Sequence, residues 1–213
     1  AHLVLVADRL AANDRAGAIA RVDTALTLLP EEEELHLARL AALGQDVEDP
    51  AVGEQLARMV ELFPENPGLR QGLLQWHVQR GDMEAAIALL RDNAAQDPDD
   101  PEGHLQVAQF LLETEGAAAA RAELERLIAE RADPRPFQRA LAQLDFAEGR
   151  RDEAIAGLRA LIAPETEGAA EGAEIAPEVR DLQVALAQML EATGERAESE
   201  ALVEQVLAAD PRH

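Results

Sequence analysis

The chain contains no cysteine, no tyrosine and no lysine. Without cysteine there are no disulfide staples, no thiolate metal sites and no cysteine nucleophile, and the composition fits cytoplasm and periplasm alike. Aromatic residues are only 2% of the chain while apolar residues are 47%. Alanine and leucine must therefore build the core, which suits close helix–helix contact and suits β-sheet poorly. No apolar run reaches the 18 residues that a membrane-crossing helix needs. All 19 basic residues are arginine, set against 42 acidic ones, for a net charge of −23. Such a surface repels nucleic acid and anionic lipid, and it also keeps an apolar-rich chain in solution. A basic or neutral protein or peptide partner fits it better. The opening Ala1-His2-Leu3-Val4 enters helical periodicity in mid-turn with no basic leader, and reads as a chain cut from something longer.

Proline recurs at a constant step. Pro30, Pro64 and Pro98 lie 34 residues apart, each at the end of an apolar helical run. A block beginning Gly81-Asp82-Met83-Glu84-Ala85-Ala86-Ile87 returns as Gly149-Arg150-Arg151-Asp152-Glu153-Ala154-Ile155, again from Gly194, and near the start from Asn13. Self-similarity at this period marks an array of one supersecondary unit. A row of small residues, Ala18, Ala86, Ala120, Ala154 and Ser199, allows two helices to approach closely. An adjoining row, Val22, Leu56, Leu90, Leu124, Leu158 and Val203, supplies larger core groups. Asn66-Pro67, Asp100-Pro101 and Asp49-Pro50 pair a capping side chain with a proline at the first helical position. Gly81, Gly149 and Gly194 suit the left-handed conformation that ends a helix.

These residues resemble the tetratricopeptide repeat family. The resemblance implies an all-α fold: a solenoid of six helix-turn-helix units in a right-handed superhelix. The units fall near 1–32, 33–66, 67–100, 101–134, 135–163 and 178–211 of one domain, 1–213. Two departures stand out. Unit two carries Val52 where the family prefers alanine, with Gln45-Asp46-Val47-Glu48 in place of a tight glycine turn. The step from Ala154 to Ser199 is 45 residues, and the excess predicts a mobile loop over 164–176, where large apolar groups are nearly absent.

In this family the first helix of each unit lines the concave face. The implied binding positions are Gln71, Gln75, Gln79, Leu105, Gln109, Arg139, Gln143, Phe146 and Gln188. Gln75, Gln109, Gln143 and Gln188 form one row, whose amides offer donors and acceptors to an extended peptide; ordinary solvated surface is the alternative for them. His2, His36 and His104 repeat at one place in their units, but equivalent residues of neighbouring units lie on the order of 10 Å apart, too far to share a metal. They read as half-buried packing groups. Acid clusters at Glu31–Glu34 and Asp97–Glu102 flank helix starts, where carboxylates favour the dipole. Trp76 and Phe110 read as packing between units. No phosphate loop, nucleophile elbow or metalloprotease motif is present, and no cofactor or catalytic residue is implied.

The expectation is a non-enzymatic interaction scaffold that binds a peptide or partner protein in its groove. A bacterial envelope scaffold for exopolysaccharide or outer-membrane assembly, or the regulatory arm of a larger enzyme, remain alternatives. Compartment and association between copies are left open.

Overall fold

A computed structural model describes residues 2–44, 46–166 and 176–209. Among them the chain forms twelve helices and no strand, an all-α helical-repeat fold. In chain order these are α1 (His2–Ala11), α2 (Arg15–Leu26), α3 (Glu33–Leu43), α4 (Pro50–Leu62), α5 (Pro67–Arg80) and α6 (Met83–Gln96), followed by α7 (Pro101–Thr114), α8 (Ala117–Glu130), α9 (Arg135–Ala147), α10 (Arg151–Thr166), α11 (Pro177–Thr193) and α12 (Arg196–Ala209). Two compact units, Ala1–Leu90 and Arg91–His213, divide the chain, with the boundary inside α6. From α1 to α5, and again from α7 to α12, each helix packs on the next. First helices of successive hairpins also meet, α1 with α3 and α7 with α9.

The local chemistry explains where the helices begin and end. Asp49, Asn66 and Asp100 each accept a hydrogen bond from a backbone N–H two residues on, at 2.9, 3.1 and 3.0 Å, and proline fills the first helical position. Gly81 ends α5 with φ of 74°, its N–H donating to the Val78 carbonyl while Asp82 N–H reaches His77. Gly149 and Gly194 take the same left-handed region. The loop expected over 164–176 is shorter at its start, because α10 continues through Pro164 to Thr166. In the last turn a proline removes only one backbone donor. The remainder of that loop, 167–175, lies outside the described residues.

The small-residue row packs as its spacing requires. Ala18, Ala86 and Ala154 are 0% exposed, and Ala120 and Ser199 are buried. Ser199 Oγ donates to the Ala187 carbonyl at 2.8 Å, so its hydroxyl costs little in the interior. Val22, Leu56, Leu90, Leu124 and Leu158 are buried as well. Val203 is not: it is 42% exposed, because no described helix follows α12 to cover that face.

Two histidines go deeper than half-buried. His36 is 1% exposed and joins a polar chain whose direction follows from its ends. Arginine only donates, so Arg39 Nη1 fixes Gln55 Oε1 as acceptor at 2.9 Å. The other half of the Gln55 amide then donates to the His36 carbonyl and to His36 Nδ1. His36 Nε2 is left to donate to the Pro30 carbonyl at 2.8 Å. Arg39 also pairs with Asp23 of α2 at 2.7 Å. A buried chain thus ties α3 to α4, the hairpin whose sequence departs from the family pattern, and the exposed Arg39–Asp23 pair extends it to α2.

Trp76 is a packing residue, as its position suggested. Its indole ring lies against Gly53 of α4 so closely that any Cβ at that position would collide with it. Arg80 covers the ring, 4.8 Å from its centroid.

Candidate functional site

Within the unit Arg91–His213, α7 and α9 face an open groove of about 390 Å³. Helical spacing brings Leu105, Gln109 and Leu112 onto one face of α7, and Arg139, Gln143 and Ala147 onto one face of α9. Buried Ala108 and Leu144 form its floor, and half-buried Leu105 and 42% exposed Leu112 its walls. Gln109 and Gln143 are exposed, with Arg139 half-buried between apolar groups. Gln109 Nε2 donates to Glu113 Oε1 at 3.1 Å, so part of that amide is engaged within α7.

A notch of about 220 Å³ continues from the groove, sharing Glu102, Leu105 and Arg139 with it. Its apolar lining is Leu105, Leu161, Val179 and Leu182, and its rim carries Glu102, Asp133, Arg135, Glu178 and Asp181. Arg135 grips Asp133 through two N–H groups, at 2.8 and 2.9 Å.

Of the residues expected from sequence, Leu105, Gln109, Arg139 and Gln143 share this groove. Gln71, Gln75 and Gln79 lie four apart along α5, in the other unit, and are exposed there. Phe146 is half-buried against the cluster of Ala142, Ala154 and Leu158, with the Arg151 guanidinium 5.8 Å from its ring centroid. Gln188 is exposed on α11, outside the lining of both groove and notch. Sequence reasoning placed Glu102 only in an acid cluster at a helix start, and it missed Leu144 and, in the notch, Leu161, Val179 and Leu182. Leu161 belongs to a second helix. Val179 and Leu182 lie in the first turns of α11, ahead of the row of groove glutamines that ends at Gln188.

A second polar cluster in the same unit lies at α8. Glu123 is 5% exposed and accepts from Arg91 at 2.7 Å and Arg126 at 2.5 Å. Burial works to raise its carboxyl, but the bonds from Arg126 and Arg91 outweigh it and bring it below the ordinary carboxylate value. Such a carboxylate has no proton to give near neutral pH, so it is a poor general acid. Nearby His104 is 5% exposed; burial first, and the charge of Arg131 second, lower it from the ordinary histidine value of 6.5. Arg131 Nη2 lies 3.5 Å from His104 Nδ1 and Nη1 donates to the Pro98 carbonyl at 3.2 Å. No group of three or more His, Cys, Asp or Glu among the described residues is placed to hold a metal ion, and no described helix is long and apolar enough to cross a membrane.

Stacked helical hairpins with an open, amide-lined groove define a helical-repeat protein of the interaction-scaffold class. Within the chain, residues 53–109 and 77–144 match the model of the tetratricopeptide repeat family. No curated protein matches the sequence significantly. Among solved structures it is similar to the tetratricopeptide-like repeats of a Podosopora anserina kinesin light chain, with 19% identity over 99% of this chain and 94% of that one and a TM-score of 0.46. It is similar also to a thermophilic tetratricopeptide protein of Thermus thermophilus, with 24% identity over 89% and 97% of the two chains and a TM-score of 0.42. A third is YrrB, a tetratricopeptide protein described as having an unusual peptide-binding site, with 13% identity over 90% and 93% and a TM-score of 0.44.

Proposed function

We propose that this chain is a non-enzymatic scaffold that binds an extended segment of a partner protein along the inner faces of its first helices. Within the unit Arg91–His213 the contacts are Leu105 and Gln109 of α7 and Arg139 and Gln143 of α9, with Phe146 of α9 and Gln188 of α11 as further members; Gln71, Gln75 and Gln79 of α5 are the corresponding row of the other unit. The observation that carries this reading is the groove of about 390 Å³ with Gln109 on one side and Gln143 on the other. An amide both donates and accepts, as a peptide backbone does, and the apolar floor favours side chains over water. A net charge of −23 favours basic or neutral partners and speeds their encounter at low salt.

The test is binding of a peptide selected from a random library on the wild-type chain. Gln75→Ala, Gln109→Ala and Gln143→Ala together are expected to weaken it by about tenfold or more, at roughly 1 kcal/mol for each hydrogen bond lost. The melting temperature should hardly move, since exposed substitutions typically shift stability by under about 0.5 kcal/mol. Unchanged affinity removes the groove amides from the account.

A further inference from the structure

We infer that the notch between α7, α9 and α11 selects its occupant: a peptide with one apolar side chain followed directly by a basic one. This rests on the groove reading above and adds to it the chemistry of the ligand.

Three observations lead there. First, the notch is about 220 Å³, several times the roughly 30 Å³ that a water molecule takes in the liquid, and Leu105, Leu161, Val179 and Leu182 line it. Water in such a place finds few hydrogen-bonding partners, whereas an apolar side chain loses its own hydration on entering. Second, the charges at the rim are not equally engaged. Asp133 is gripped by Arg135, whereas Glu102 and Glu178 make no ion pair among the described residues. Both are exposed at the mouth of the notch, so a cation arriving there meets two carboxylates without having to break an existing pair. The overall charge of −23 adds a long-range pull of the same sign. Third, Arg139 belongs to both notch and groove. Its guanidinium is a pure donor and suits a main-chain carbonyl of the peptide, which fixes the strand as it passes from notch to groove. A peptide with glutamate after its apolar anchor would instead bring one more carboxylate to a rim that already carries Glu102, Glu178 and Asp181.

The probes are four nonapeptides, identical except at a central pair: Leu-Arg, Leu-Glu, Ser-Arg and Ser-Glu. Each is titrated by fluorescence anisotropy against the full chain, against Glu102→Gln with Glu178→Gln, and against Gln143→Ala. The Leu-Arg peptide should bind tightest. The two glutamate substitutions should weaken it by about three- to tenfold, the scale of two exposed ion pairs, and bring Leu-Arg and Leu-Glu together. Raising salt should erode the same preference. Gln143→Ala should weaken all peptides alike. Equal binding of Leu-Arg and Leu-Glu to the wild-type chain, or an unmoved Leu-Arg affinity in the glutamate variant, overturns the inference. If the peptides nonetheless respond to Gln143→Ala, the groove reading survives. If no peptide binds, groove and notch fall together. Unchanged circular dichroism of the variants separates these outcomes from misfolding.

Discussion

Ala86 and Ala154 show how little room separates the helices of a hairpin. Both are 0% exposed, so a larger side chain finds no solvent to turn into. Ala86→Leu and Ala154→Leu should each cost about 1–3 kcal/mol by overpacking, read from denaturant midpoints; two neutral results would mean that the repeat register is wrong. His104 and Glu123 make stability depend on pH. The folded state holds His104 below its unfolded value, so the unfolded chain binds the proton more readily. Its contribution is therefore complete above the ordinary histidine value and declines as pH falls through that range. Glu123 is also lowered, and its contribution is lost further down, as pH falls through the carboxylate range. His104→Gln should flatten the loss between neutral and mildly acidic pH without removing the acid limb below it. An unaltered profile in thermal melts across that window would contradict this assignment.

At the scale of the element, the hairpins owe their limits to short-range chemistry, and that part was legible in the sequence. Asp49, Asn66 and Asp100 cap as their following prolines suggested, and Gly81, Gly149 and Gly194 end helices. The repeated step put Gln109 and Gln143 at equivalent positions of successive first helices, while the expectation that they share a groove with Leu105 and Arg139 came from the family resemblance. What depends on contact between distant segments was not legible. Gly53 looks like a weak point inside α4, yet it is the seat of the Trp76 ring from α5. Gln55 looks like an ordinary surface residue, yet it is 3% exposed and bonds His36. The notch escaped because Leu161 comes from a second helix and Val179 and Leu182 lie ahead of the glutamine row on α11. Val203 failed as a core residue for the opposite reason: periodicity assumes a neighbour on that face, and α12 has none among the described residues. Leu158→Ala, at 0% exposure, should cost about 2–5 kcal/mol by leaving a cavity. Val203→Ala should stay within about 0.5 kcal/mol, the range of exposed sites. Equal costs in urea unfolding would mean that the face of α12 is covered after all.

For the whole molecule, packing between consecutive helices means that stability is approximately a sum of hairpin terms and nearest-neighbour terms. Small and medium apolar residues are consumed in holding helices together, and the inner faces are left to amides, leucines and a few charges.

The central claim is that recognition happens on the inner faces of α7 and α9. Chemical-shift mapping of the isotope-labelled chain, titrated with a library-selected peptide, tests it most directly. The account predicts shifts centred on Leu105, Gln109, Arg139 and Gln143, with the Gln109 and Gln143 side-chain amides among those that move. Shifts confined to α8 and α10, with those four residues silent, would contradict it.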